Sequence, residues 1–369
     1  MISLKKLPVF IIAPGLLITA AASPLSCNLS KDGGVYKSKD AASNWEQKVK
    51  ISDKKGVGSY NALSFAIDSA NSKNLYLGTG GNGLYKSADE GETWKQIEDK
   101  NKIFDKAAAI YDIKMSPRNS NLIYAAVYQG NVGRVLRSED AGESWKQVYL
   151  VSSAKYPVLS IAVSQINEAV VFIGTAQGGL FKSVDHGSSW ELLKWFSDRV
   201  SGIEINPNND NIIYLATASK GLHKSTDQGK NWQVLSQKTQ TSSSAIRNYA
   251  SDQLDVFAQQ GKIQAIMLDS KNSETIFVAS EKGLLVSNDS GQTWRKINIL
   301  LPEKTIPILT IAQDSQNPSI IYYSAGAVIY KTVDGGQTWT VNKVPSARRV
   351  RFIEISPTDS NIVYVGMGS

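Results

Sequence analysis

From Leu63 to Asp68 the chain reads LSFAID, apolar and polar positions alternating with the period of two that a strand with one buried face requires. A polar turn, Asn71 to Asn74, separates it from LYLGT, Leu75 to Thr79, whose nearly unbroken apolar run suits a strand covered on both faces. Gly80 to Gly83 form the next turn, Leu84 to Ser87 a third strand, and after a hairpin Trp94 opens a fourth. The same order returns in KMSPRNSNLIYAAVY from Lys114, IEINPNNDNIIYLAT from Ile203 and IEISPTDSNIVYVGM from Ile353. No stretch beyond the N-terminal leader sustains a helical period, so the pattern predicts an all-β chain.

Each hairpin between a third and a fourth strand carries the pattern S-x-D-x-G-x-x-W. It stands at Ser87, Asp89, Gly91 and Trp94, at Ser138, Asp140, Gly142 and Trp145, and at Ser183, Asp185, Gly187 and Trp190. It returns at Ser225, Asp227, Gly229 and Trp232, at Ser287, Asp289, Gly291 and Trp294, and with threonine first at Thr332, Asp334, Gly336 and Trp339. The earliest copy is Ser38, Asp40 and Trp45, with Ala42 in the glycine slot, which makes seven. A hydroxyl and a carboxylate two residues apart can bond backbone N–H groups inside a tight turn, and glycine accepts the positive φ that other residues resist. The tryptophan then buries its ring while its N–H reaches a carbonyl. Seven of the eight tryptophans fill this slot, and Trp195 is the exception.

Successive box tryptophans lie 49, 51, 45, 42, 62 and 45 residues apart, the period of a four-stranded propeller blade. The chain ends after a first and a second strand and begins, past its leader, with a third, GGVYKSKD from Gly33. Trp339 to Ser369 and Asn28 to Trp45 together supply 48 residues, one period. The expectation is one seven-bladed β-propeller over residues 28–369, its last blade built from both ends of the chain so that the ring closes. The 62-residue interval holds a polar, serine-rich insertion, Thr239 to Gln260, longer than an ordinary loop.

Residues 1–27 read as an export leader: Lys5 and Lys6, an apolar run from Val9 to Ala22 broken by Pro14 and Gly15, then small residues. Cys27 is the only cysteine, so no intramolecular disulfide is expected and packing must hold the fold. Its place just after the apolar run, followed by Asn28, resembles the acylated cysteine of a bacterial lipoprotein, although Pro24, Leu25 and Ser26 precede it where that pattern has leucine three places before. The expectation is an exported protein held by a lipid on the outer face of a bacterial membrane. Cleavage after Ala20 or Ala22, giving a secreted or periplasmic protein with a free Cys27 thiol, is the alternative. Net charge is +7, falling to +5 once Lys5 and Lys6 leave with the leader, a mild surplus compatible with an anionic partner.

The repeated boxes resemble those of the Asp-box, or BNR, repeat family, and they cover nearly all of Ser38 to Trp339. That resemblance implies a propeller in which the box is structural and lies away from the ligand. Function varies across the family, which includes sialidases, xyloglucanases, sortilin-type receptors and seven-bladed photosystem II assembly factors. The chain lacks the R-I-P segment of sialidases, the second facing propeller of xyloglucanases and the cysteine-rich module of sortilin-type receptors. In size, blade number and lipoprotein-like start it is most similar to the assembly factors.

His186 and His223, the only histidines, form neither a metal set nor a base with an orienting partner, and surface roles are expected for both. GTGGNG, Gly78 to Gly83, leads from strand to strand, which excludes a dinucleotide-binding loop. No metal, cofactor or nucleic acid is expected, and the chain is expected to be a monomer. Asp68, Asp112, Glu204, Asp269, Asp314 and Glu354 fall in or just after first strands, which line a propeller's channel. A pair such as Glu204 and Glu354 would be the catalytic carboxylates if the protein were a glycoside hydrolase.

The favoured reading is a non-enzymatic platform that docks a protein or glycan. Connections from fourth to first strands open on the face opposite the boxes, placing Tyr60, Tyr111, Tyr156, Arg199, Lys262, Lys304, Arg348, Arg349 and Arg351 on one rim. Arginines there would hold carboxylates or phosphates, and tyrosines would add flat contact area. The stretch SARRVRF, Ser346 to Phe352, resembles in kind the arginine cluster of the assembly factors.

Overall fold

The computed structural model describes residues 32–51, 56–235, 261–300 and 306–369. Residues 1–31, with the expected export leader and Cys27, the insertion from Thr239 to Gln260 and Lys304 lie outside the described residues. Among those described, 28 strands form seven antiparallel sheets of four, each a blade. The first complete blade is β3 (Ala62–Ile67), β4 (Leu75–Thr79), β5 (Leu84–Ser87) and β6 (Lys95–Gln96). Five more repeat this order, and the seventh combines β2 (Glu46–Lys48) and β1 (Gly34–Ser38) with β28 (Val363–Gly368) and β27 (Arg349–Ile355). β1 pairs with β28 from Gly34 opposite Met367 to Ser38 opposite Val363, so the two ends of the chain share one sheet. β27 packs against β3 and closes the ring.

Second strands are buried along their whole length, as their continuous apolar sequence anticipates, except at Tyr128 and Gln129, which end the longest of them and are half-buried. The core consists of layers between neighbouring blades: Tyr76 and Leu84 of one blade meet Ile110, Ile113 and Ile123 of the next. Stability therefore resides in blade-to-blade contacts, and each blade depends on its neighbours.

The boxes form the expected turns. Ser87 Oγ donates to Asp89 Oδ1 at 2.7 Å and accepts the Gly91 N–H at 2.8 Å, while the Asp89 carboxylate takes the Thr93 N–H and hydroxyl at 2.9 and 2.6 Å. Two solutions satisfy six of the seven box tryptophans, while the buried Trp45 Nε1 finds no hydrogen-bond partner among the described residues. Trp94, Trp190 and Trp339 donate to the preceding blade, at the carbonyls of Lys48, Val148 and Asn298, whereas Trp145, Trp232 and Trp294 bond the glycine carbonyl of their own box. Ala42 adopts the glycine conformation with φ at 72°, a strained choice for a residue with a Cβ.

A second device links the boxes around the ring. The residue between aspartate and glycine also has positive φ, 59° at Glu90, 55° at Ala141 and 59° at Ser290. The basic residue just before the previous blade's box serine donates to its carbonyl: Lys37 to Glu90 at 3.3 Å, Lys86 to Ala141 at 3.0 Å, Lys224 to Ser290 at 3.1 Å, and Arg137 likewise to His186. At the closing blade Lys37 also forms an ion pair with Glu90 at 2.8 Å.

Candidate functional site on the rim and in the channel

Every first strand carries a register shift near its start, which increases local twist and re-aims the side chain at the irregularity. Tyr111 and Arg351 occupy this position in their strands. Tyr111 is 38% and Tyr156 40% exposed, and Arg199, Lys262, Arg349 and Arg351 are exposed as well. Tyr60 is half-buried, its ring 5.8 Å from that of Tyr85. Tyr111, Arg349 and Arg351 lie within first strands rather than before them.

The basic residues are not equivalent. Arg348 pairs through Nε with Asp32 at 3.3 Å and donates from Nη1 to the Tyr60 carbonyl at 3.3 Å and to Asn61 Oδ1 at 3.1 Å, tying the start of β1 to the first blade. Its guanidinium is a fastener of the ring closure, a role that the sequence grouping with Arg349 and Arg351 misassigned because Asp32 lies more than 300 residues away in the chain. Arg199 sits beside Asp198 and Lys262 beside Glu281, so both lie near an acid. Arg349 and Arg351 have no ion-pair partner among the described residues. Although Arg351 is exposed at its surface, the protein crowded around its guanidinium, and then the neighbouring charge of Arg349, pull it below its ordinary range.

The acidic residues of the first strands divide by position. Asp68, Asp269 and Asp314 accept backbone N–H groups of the turn that follows, from Ala70, Lys271 and Gln316 at 2.8 to 2.9 Å, and so act as turn staples rather than channel walls. Asp112 fixes the second blade to the third by accepting the Ile161 N–H at 2.8 Å. Glu204 and Glu354 remain, and the sheet registers place them at one level with Ala66, Lys114, Ala162, Met267 and Ala312. Lys114 was missed in the sequence; aligning the seven first strands residue by residue would have found it.

Lys114 Nζ lies 3.9 Å from Asp112 Oδ1, and that carboxylate, then Glu204 and Glu354, raise its pKa against the effect of burial. The Lys114 side chain is 47% exposed to the channel, yet protein surrounds the channel and replaces much of the bulk solvent. Burial pushes both Glu204 and Glu354 up to about 7, with Lys114 opposing the shift and Asp112 adding to it. A cavity of about 200 Å³ is lined by Lys114, Ile161, Gln165, Ile203 and Glu204, but not by Glu354.

Two other sequence expectations are resolved by packing. His223 is buried against the Phe196 ring at 4.9 Å, and burial, then Lys194, lower its pKa to about 4; it is a neutral core residue, not a surface one. The strand alternation around it did not reveal that its face is covered by the preceding blade. The box carboxylates have their acceptor sites filled: hydrogen bonds, led by the Ser189 hydroxyl, hold Asp185 at about 2. Among the described residues no group of three or more His, Cys, Asp or Glu side chains is placed to hold a metal.

A family profile described as Sortilin, neurotensin receptor 3 (Sortilin-Vps10) matches residues 133–283, less than half of the chain. By sequence, no curated protein matches. The structure of the GH74 enzyme from Niastella koreensis superimposes with a TM-score of 0.66 at 18% identity, over 84% of this chain and 51% of that one. YCF48 bound to D1 peptide superimposes with a TM-score of 0.59 at 15% identity, over 84% of this chain and 94% of that one. YCF48 from Cyanidioschyzon merolae gives 0.60 at 13%, over 84% and 96%. This chain thus spans about half the length of the GH74 enzymes, and at such identities the likeness shows the fold alone.

Proposed function

We propose that the protein is a non-enzymatic docking platform whose rim, at Arg349 and Arg351, receives a protein segment carrying carboxylates. The observation that carries this reading is the exposed arginine pair without an acidic ion-pair partner among the described residues. Two close guanidinium groups repel each other until an anion neutralises them, and each can bind a carboxylate through two parallel hydrogen bonds. Tyr111 and Tyr156 add exposed aromatic area on the same rim. The likeness to YCF48, solved with a D1 peptide bound, supports a peptide as the ligand, as does its nearly complete coverage of that shorter chain. The platform works outside the cytoplasmic membrane, held there by a lipid on Cys27.

Arg349→Ser combined with Arg351→Ser is expected to reduce partner capture from native membranes at least ~10-fold at low salt, with an unchanged melting temperature. Raising the salt is expected to weaken the parent in the same direction. Arg348→Ser, by contrast, is expected to lower the melting temperature, because it removes the bonds to Asp32, Tyr60 and Asn61 that fasten the closing blade to the first. Capture by the double variant at the parent's level would move the site off this rim. Cys27→Ser is expected to shift the protein from the membrane to the soluble fraction, and unchanged partition would remove the anchor from the reading.

A second reading rests on Glu204 and Glu354. A carboxyl that holds its proton to about pH 7 can serve as a general acid, as a glycoside hydrolase requires. Turnover of a glycoside by the purified protein, lost in Glu204→Gln or Glu354→Gln, would replace the docking reading with this one.

A further inference from the structure

Trp195, the one tryptophan outside the boxes, stands on β14 (Glu191–Trp195), the outermost strand of the third blade. The outer strands of two other blades have only two residues. β14 has five, pairs among the described residues only with β13 (Gly179–Ser183), and leaves Leu192 45% and Trp195 51% exposed. Such an edge presents unpaired backbone N–H and C=O groups to any strand that can match it.

Its register is unusual. Gly179 faces Trp195, Leu180 faces Lys194, Phe181 faces Leu192 and Lys182 faces Glu191, which makes Leu193 the extra residue of a bulge. Opposed residues share a face and successive pairs alternate, so Leu192 and Trp195 lie on the face of Phe181, and Glu191 and Lys194 on the other. Leu193 turns towards the fourth blade, its Cδ1 2.7 Å from where a Cβ on Gly229 would stand. In a regular strand Glu191 and Lys194, three positions apart, would point to opposite faces. The bulge puts them on one.

We propose that β14 pairs antiparallel with β14 of a second copy of this chain, about a two-fold axis at Leu192. Two-fold pairing of identical antiparallel strands requires the paired positions to share a face, and the bulge meets that condition. With Leu192 opposite Leu192 of the second copy, Glu191 falls opposite Lys194 of the second copy, and the symmetry repeats the pair. Neither Glu191 nor Lys194 has an ion-pair partner among the described residues. On the apolar face Trp195 extends the contact beyond Glu191 of the second copy. Its ring is held edge-on to Phe181 at 6.2 Å, and Phe181 packs on Tyr149 at 5.0 Å, so little side-chain freedom is left to lose on association. β10 (Lys146–Leu150), equally long and with Leu150 48% exposed, reads KQVYL and has no acid to oppose its lysine, so it lacks this self-complementarity.

The inference departs from the expectation of a monomer and is independent of the docking reading. A two-strand edge contact is small, so association belongs to the weak end of specific interfaces and is to be measured between about 1 μM and about 1 mM. Sedimentation equilibrium of the full chain is expected to show a monomer–dimer equilibrium. Glu191→Lys and Lys194→Glu each create two like-charge pairs and are expected to weaken it at least ~10-fold. The double variant E191K/K194E, and a mixture of the two single variants, are expected to regain it. Both side chains are exposed, and Lys194→Glu loses only the position of its ammonium over the Phe196 ring at 5.4 Å, so melting temperatures should stay within a few degrees of the parent's, and Leu192→Lys, which places a charge on the axis, gives an independent route to the monomer. A parent that stays monomeric throughout, or single variants that associate as the parent does, would overturn the proposal.

Discussion

Removing Val363–Ser369 is expected to unfold the whole ring rather than trim its edge. These residues include β28, the strand that β1 needs on one side and β27 on the other. Val363, Tyr364, Val365 and Met367 are at most 1% exposed and serve two interblade layers, one on each face of the closing blade. At about 1.5–3 kcal/mol for each fully buried apolar side chain, the loss of these four removes roughly 6–12 kcal/mol. That is comparable with the whole stability of a typical domain, about 5–15 kcal/mol. The Tyr364 hydroxyl also donates to the Glu90 carbonyl at 3.2 Å, the same acceptor that Lys37 reaches, so the deletion weakens the lock between the closing blade and the next. The truncated chain should show no cooperative melt by circular dichroism. A melt within a few degrees of the parent's would mean that the ring does not depend on this closure.

The closure was legible because it is a matter of counting: seven boxes, one period missing, and two partial units that complete it. The boxes were legible because a turn of that shape constrains four side chains within eight residues. What escaped the sequence depends on registers between distant parts of the chain. Asp68 and Asp112 look alike in a linear reading, yet one staples a turn and the other a neighbouring blade. Lys114 becomes a channel residue only when seven first strands are aligned at their bulges. Arg348 differs from Arg349 because the chain brings Asp32 and Tyr60 to it from the opposite end. The function of Trp195 was similarly hidden, since a bulge, not the sequence spacing, decides which residues of β14 share its face.

Stability is expected to fall as pH rises from about 4.5 to about 7, and Glu204→Gln is expected to flatten that slope. Both channel carboxyls are pushed up from 4.5 to about 7, first by burial. Over that interval the unfolded chain releases these protons while the folded chain keeps them, so each carboxyl favours the folded state at low pH. That contribution is lost as pH rises through the folded value and changes no further above it. At about 1.4 kcal/mol per pKa unit, and with the two groups sharing Lys114, the loss is on the order of 2 kcal/mol for each. The Gln variant should match the parent near pH 4.5 and exceed it by roughly 1–2 kcal/mol at pH 8, as read from urea unfolding. Removing the Glu204 charge also removes one of the causes that raise Glu354, so the slope that remains should move to lower pH. Lys114→Met should act in the opposite sense: without the cation that opposes both shifts, the two carboxyls climb further and the loss above pH 7 deepens. Equal slopes for the parent and Glu204→Gln would show that channel water solvates these groups as bulk water does, and the case for Glu204 as a neutral-pH acid would fall with it.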